Sequence, residues 1–278
     1  MPSERLAAAR GAVRDGVAAV EGFAQLLGSR RVGPRGVARA LPEVREGCAT
    51  LGAALQTIEA AIAAEVADDA AAAAAGAVLA HAGAEVARLE AELTGPAGAR
   101  SKSASIDARQ RLALDASVRR AAGELKGALH LVDLLCASLE LRPTPIDLAD
   151  VIRQRSSSRS QGEPAVRVAV VCEDGCAEGV EADARVVGGL IELAVGAVSA
   201  AGVASPHLAA SKRLDGRVEV SVGGHRTRGG PAAQGFTSEL PLRDAGPRAL
   251  AVARAAARRA GIEITIEGPP SAELRMTL

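Results

Sequence analysis

Imidazole is the side chain best suited to nucleophilic work near neutral pH. The sequence carries four histidines: His81, His130, His207 and His225. A second place with chemical potential is IELAVGAVSAAG, residues 191–202. There a carboxylate, Glu192, interrupts an apolar helical run, and Gly196 stands one turn further along the same face. A buried charge and a glycine inside a helix both cost stability. Packing alone does not select such residues, so this face serves a site or descends from one. The cysteines are Cys48, Cys136, Cys172 and Cys176. The last two are close together in CEDGC, but no further ligands stand at metal-site spacing. They read as free reduced thiols, with no metal.

Composition limits what can surround these residues. Of 278 residues, 48% are apolar, yet Trp and Tyr are absent and Phe occurs twice. Cores must therefore be built from Ala, Val, Leu and Ile, and alanine at this density favours helices. The 33 basic and 33 acidic residues cancel, which argues against a general nucleic-acid or membrane-surface binder. No apolar run reads as a membrane span, and MPSERLAAAR holds no signal-peptide core. The expectation is a soluble, cytoplasmic chain.

Up to about residue 143 the chain reads as helices. Residues 4–27 are apolar at helical spacing and end at Gly28; GPRG, 33–36, reads as a turn. The pattern resumes from Pro42 to about Ala64 through Val44, Leu51, Leu55, Ile58 and Ile62. Asp68 and Asp69 open a further helix whose seam is Ala75, Leu79, Ala82, Val86, Leu89 and Leu93, steps of four and three that make a heptad. TGPAGARSKSAS is a loop by composition. Asp107 then opens a helix with the seam Leu114, Val118, Ala121, Leu125, Ala128, Val132, Leu135, Leu139. Two seamed helices make an antiparallel hairpin that cannot bury its seam alone. It needs a second copy, or residues 4–64 of the same chain.

Beyond 143 the signals alternate. The prolines of LRPTPIDLADVI end a helix and Asp147 caps a short one. SSSRSQGEP is a loop, AVRVAVVC a strand over 165–172, and residues 184–201 a helix. HLAASKRLDGRVEVSV is a hairpin turning at Asp215-Gly216. PRALAVARAAARRAG is a helix stopped by Gly261, before the strands IEITIEG and AELRMTL. The expected organisation is a helical hairpin over 1–66, a second over 67–142 and an α+β domain over 146–278.

The hairpin, the linker LELRPTPIDLADVI, the strand–helix order and the ending ALAVARAAARRAGIEITIEG together resemble the core of bacterial sensor histidine kinases, over roughly residues 67–278. The resemblance implies an α then α+β fold. A dimerisation-and-phosphotransfer bundle would be followed by a histidine-kinase ATPase-like α/β sandwich. It also implies where ligands would stand, and there the chain departs from the pattern. The two asparagines that hold Mg²⁺ and phosphate fall on Glu192 and Gly196, and a polar residue three further on is Ser199. The adenine-binding aspartate falls on Gly223 or Gly224, with no Asp between Asp215 and Asp244. The second glycine box is reduced to DAGPRALAV, where Gly246 remains and Pro247 removes an amide donor. The expectation is a degenerate pocket at Glu192, Gly196, Gly224 and Gly246 that has lost ATP and Mg²⁺, with no cofactor.

By the heptad His81 is off the seam and hence exposed, as a phosphoacceptor must be, although HAGAEV places no acid directly after it. RGAVRDGVAAVEGFAQLL also resembles the family's first hairpin helix, with Gly11 in the place of the histidine. The expected function is a pseudokinase or adaptor that docks response-regulator receiver domains or kinases. The alternative is an ATP-independent histidine phosphotransferase using His81. The expected assembly is a homodimer through the bundle or a four-helix bundle within one chain, with no nucleic acid and no membrane partner.

Overall fold

The computed structural model describes residues 4–29, 34–66, 69–94, 108–157, 169–172, 179–200, 207–224, 246–267 and 272–278. Most of the expected loops TGPAGARSKSAS and SSSRSQGEP, with Asp68, Asp107, Cys176 and His225, lies outside the described residues, while Thr94, Ser156 and Ser157 end helices instead. Residues 1–130 and 131–278 form two compact units.

The first unit is built from α1 (Glu4–Gly28), α2 (Pro34–Glu65), α3 (Asp69–Thr94) and the greater part of α4 (Ala108–Leu139). In α1, Leu6, Val13, Val20 and Leu27 recur every seven residues and are all buried, with Phe23 beside them. Gly16 lies where α1 meets α2, and a Cβ there would stand 2.5 Å from Leu51; only glycine lets the helices approach this closely. The six seam positions of α3 are all buried, and so are Val118 to Leu135 on the seam of α4. The helices close on one another around the unit: α1 packs on α2 and α2 on α3. Glu124 of α4 faces His81 of α3, and Lys126 of α4 pairs with Glu21 of α1. Helix ends are tied across these contacts. The Arg111 guanidinium of α4 donates to the Leu26, Leu27 and Ser29 carbonyls that end α1, and Arg45 of α2 donates to the Leu93 carbonyl near the end of α3. Cationic donors suit a helix C-terminus, where carbonyls lack partners.

Helix α2 corrects the sequence reading. It starts at Pro34 rather than at Pro42, so residues 34–36, read above as part of a turn, begin a helix and Pro42 sits inside it. Proline is favourable in a first turn, where the missing N–H has no partner to lose. Inside a helix it removes a hydrogen bond and costs roughly 3 kcal/mol. The seam overrides that cost, because Val37, Leu41, Val44, Cys48, Leu51, Leu55, Ile58 and Ile62 step by four and three without a break and are all buried. Helices α2 and α3 are also long and apolar enough, by length and composition, to cross a membrane, contrary to the reading above. Dense alanine raises their hydropathy, while their seams are buried in the bundle.

The second unit begins within α4, where Leu131, Val132, Leu134, Leu135, Cys136, Ala137 and Ser138 are buried in near-continuous succession. It continues through β1 (Thr144–Ile146), α5 (Leu148–Ser157), β2 (Ala169–Cys172), β3 (Val180–Ala182), α6 (Ala184–Ala200), β4 (His207–Lys212), β5 (Val218–Gly224), α7 (Gly246–Arg259), β6 (Glu263–Glu267) and β7 (Ala272–Thr277). Five strands form one sheet in the order β2-β4-β5-β7-β6, with β2 parallel to β4 and the other pairs antiparallel. Leu208, Ala210, Val218, Val220, Val222 and Met276 alternate onto one buried face, and α5, α6 and α7 pack against the sheet. Separately, β1 and β3 pair antiparallel. The fold is therefore α then α+β, a helical bundle followed by an α/β sandwich.

Local rules account for the joints. The β4–β5 turn places Gly216 at φ +85°, and its amide donates to the Arg213 carbonyl at 3.0 Å; Asp215 accepts from the Arg217 amide. Helix α7 ends with Gly261 at φ +72°, where the Gly261 amide donates to Arg258 and the Ile262 amide to Ala257. That pair of bonds is a Schellman cap. Asp147 accepts from the amides of Ala149 and Asp150 and starts α5.

One prediction follows from α2. Pro42 is exposed, and Pro42→Ala restores a helical amide at no cost to the seam. The variant is expected to be more stable by about 2 kcal/mol, read as a higher denaturant midpoint at unchanged slope.

Candidate functional site

Glu192 and Gly196 lie on α6, Gly224 is the last residue of β5, and Gly246 is the first of α7. Helix α6 packs on β5 and against α7, so the fold makes neighbours of the three elements that carry the four positions. Glu192 is half-buried between the buried Ile191 and Leu193. Pro247 is the second residue of α7, so that helix start presents one amide fewer to an anion. The chemistry of this set is sparse: one carboxylate, three glycines and a shortened helix start. Among the described residues, no group of three or more His, Cys, Asp or Glu is placed to hold a metal ion.

The group that organises the start of α6 is Asp183, which sequence reasoning missed. It is buried, and its Oδ1 caps α6 by accepting from the Arg185 amide at 2.9 Å. Its Oδ2 accepts from the Arg142 amide at 2.8 Å, and the Arg185 guanidinium joins it at 2.7 Å. Arg185 also donates to the Glu140 carbonyl at 2.6 Å. These bonds pin residues 140–142 of the linker to the first turn of α6. Burial pushes the Asp183 carboxyl up. The hydrogen bond from Arg185, the amides of Arg142 and Arg185 and the Arg185 charge outweigh it and hold the carboxyl below its ordinary range. The signal in the sequence was Asp-x-Arg ahead of an apolar helix, an N-cap pattern.

In the first unit, His81 is on α3 as expected, but it is half-buried rather than exposed, with 22% of its side chain open. Its Nε2 faces Oε2 of Glu124 on α4 at 3.7 Å, and Glu124 is buried at 9%. The heptad places Glu124 beside the seam residue Leu125, where a residue flanking the seam is drawn inward by the neighbouring helix. Nothing in the sequence alone pairs it with His81, because the contact joins residues 43 positions apart. Gly11 lies on α1 with open space around it. His130 is half-buried on α4, and His207 begins β4.

Cys48 lies on the floor of a groove of about 460 Å³ between α2 and α3, lined by Gly52, Ala53, Gly83 and Ala87, with Glu59 and Glu90 on its walls. Burial, then the Glu90 charge, push the Cys48 thiol up to about 11. It therefore stays protonated at neutral pH and is no nucleophile. Cys136 is also buried as a free thiol.

No protein-family profile matches the sequence, and no curated protein does. Solved structures align with it in fold, among them the following. Full-length ShkA in complex with AMPPNP matches at 18% identity over 72% of this chain and 45% of its own, with a TM-score of 0.45. The Acinetobacter baumannii histidine kinase AdeS matches at 12% identity over 70% of this chain and 94% of its own, with a TM-score of 0.46. The Erythrobacter litoralis blue-light activated histidine kinase EL346 matches at 15% identity over 72% of this chain and 59% of its own, with a TM-score of 0.30. The alignment with ShkA thus spans less than half of that protein's length.

The Asp183 anchor sets a pH dependence. Because its carboxyl is held below the unfolded value of 3.8, its contribution is fully present above that value and is lost as pH falls through the folded one. Asparagine keeps the cap and removes the charge. Asp183→Asn is expected to cost on the order of 1 kcal/mol at pH 7, since the exposed Arg185 is partly screened by solvent. The gap from wild type should close below pH 4 in urea melts across a pH series.

Proposed function

We propose that the protein is a cytoplasmic two-component signalling protein of histidine-kinase-like architecture that works without nucleotide and acts by docking a receiver domain or a kinase. The observation that carries this reading is the content of the α6–β5–α7 face. A nucleotide with Mg²⁺ needs oxygen or nitrogen ligands around the metal and bare amides around the phosphates. Here Glu192 supplies one carboxylate, Gly196 and Gly224 supply no side chain, and Pro247 removes an amide beside Gly246. These residues do not fit the group. The mismatch occurs on three separate elements, so no single compensating change restores a pocket. What the fold retains is a scaffold, held at the linker by Asp183 and in the bundle by its heptads.

A second reading, histidine phosphotransfer, is favoured by a separate observation: the facing of His81 and Glu124 across α3 and α4. A carboxylate 3.7 Å from one imidazole nitrogen would compensate positive charge that develops on the ring. In this reading phosphate passes between a receiver aspartate and His81, and the second unit contributes shape rather than catalysis. The docking surface is the helical bundle in both readings.

The test is to mix the purified protein with phosphorylated receiver domains, alongside His81→Ala. Docking is expected for both proteins, since His81 is half-buried and contributes little surface. Acid-labile label on wild type and none on His81→Ala supports phosphotransfer; docking without label supports the adaptor. Failure to dock any receiver or kinase of a broad panel contradicts both.

A further inference from the structure

We propose that the groove between α2 and α3 is a docking site for an amphipathic helix of a partner protein, one that carries two cations three turns apart beside an aliphatic stripe. It goes beyond both readings of function, since His81 faces α4 and is not part of this groove.

A second seam runs along the groove. Beside its buried heptad, α2 carries Ala49, Gly52, Gln56 and Glu59, and α3 carries Ala80, Gly83, Ala87 and Glu90, again in steps of three and four. A heptad stripe suits a neighbouring helix, yet with the bundle closed all eight of these residues are exposed or half-buried. Only 33% of the apolar stretch of each helix is buried within the chain. The small side chains leave a trough of about 460 Å³. It has room for aliphatic groups: a Cβ on Gly52 would meet nothing within 4 Å, and one on Gly83 only Leu55 at 4.0 Å.

Charge selects the occupant. Glu59 stands at one end of the trough, where its Oε1 would lie 3.4 Å from a Cβ on Gly76 of α3. Glu90 stands at the other end, near enough to Cys48 of α2 to raise its thiol. Cys48 and Glu59 are roughly 16 Å apart along the axis of α2, which is three turns. The two carboxylates are thus on opposite walls at opposite ends, and among the described residues neither is in an ion pair. An apolar trough with a carboxylate at each end fits a helix whose aliphatic stripe is flanked by Lys or Arg at the same interval. The same charges oppose other occupants. Arg45 and Arg88, the arginines beside this stretch, are engaged by the Leu93 carbonyl and by Glu85. A second copy packed through the same face would bury Glu59 and Glu90 against alanine and glycine. A lipid surface would meet them with anionic headgroups or hydrocarbon, and both are unfavourable.

The probe is a labelled synthetic peptide of about 18 residues, with a leucine stripe, Ala and Gln elsewhere, and two arginines three turns apart. A control of the same composition places the arginines two turns apart. Fluorescence anisotropy reads binding to the full chain as wild type, His81→Ala, Gly52→Leu and the double variant Glu59→Gln, Glu90→Gln. Wild type and His81→Ala are expected to bind the probe equally, in the micromolar range. Binding is expected to be about tenfold weaker for the control peptide and for the double variant, and the gap should shrink at high salt. Gly52→Leu fills the trough and should bind no probe; if it does not fold, the double variant carries the comparison. Equal affinity for both peptides, or no binding up to ~1 mM, overturns the inference and leaves receiver docking standing. Self-association of wild type that the double variant strengthens assigns the trough to a second copy. Co-sedimentation of wild type with phosphatidylcholine–phosphatidylglycerol vesicles, lost in Gly52→Leu, assigns it to a membrane. Either result also overturns the inference.

Discussion

An aliphatic seam is the constraint on which the helical half depends. With Trp and Tyr absent and Phe present twice, Phe23 is the one ring buried among the described residues, so close packing must come mainly from small and branched side chains in strict order. That order is the unbroken four-three stepping of α2 and the matching runs of α3 and α4. It carries Pro42 through the middle of a helix and makes Gly16 necessary at Leu51. It also turns Glu124, one step off the seam, inward against His81. The approach of Glu124 to His81 is thus a by-product of register. Shifting α4 by one residue would remove the carboxylate from the ring.

In the second unit a single buried carboxylate has a comparable role. Asp183 starts α6, holds the linker amide at Arg142 and receives the Arg185 guanidinium. The anchor holds the start of α6 in place, while Glu192 is the one charged side chain from Val186 to Val195 along that helix. Scaffold and chemistry depend on different residues here, and one set can change without the other.

Much of the fold was legible in the sequence because its rules are local. Heptads announce themselves within one helix, Asp215-Gly216 within one turn and Gly261 within one cap. The start of α2 was not legible, since proline ordinarily breaks a helix and only burial of Val37 and Leu41 shows why this one continues. The β1–β3 pair escaped notice because three-residue strands are too short to display a period of two. The positions on α6, β5 and α7 were assigned by resemblance, and the structure makes neighbours of the elements that carry them. The Glu124–His81 pair was not, because it is made between helices; a heptad shows which residues face inward but not which of them meet.

The central claim is that the α6–β5–α7 face has lost the chemistry of nucleotide binding while the fold around it is kept. Calorimetric titration of the full chain with a non-hydrolysable ATP analogue and Mg²⁺ tests it most directly. The account predicts no saturable heat up to ~1 mM, the level at which binding is worth only about 4 kcal/mol. A saturable isotherm in the micromolar range, weakened by Glu192→Ala, would contradict it, because Glu192 would then be a working ligand.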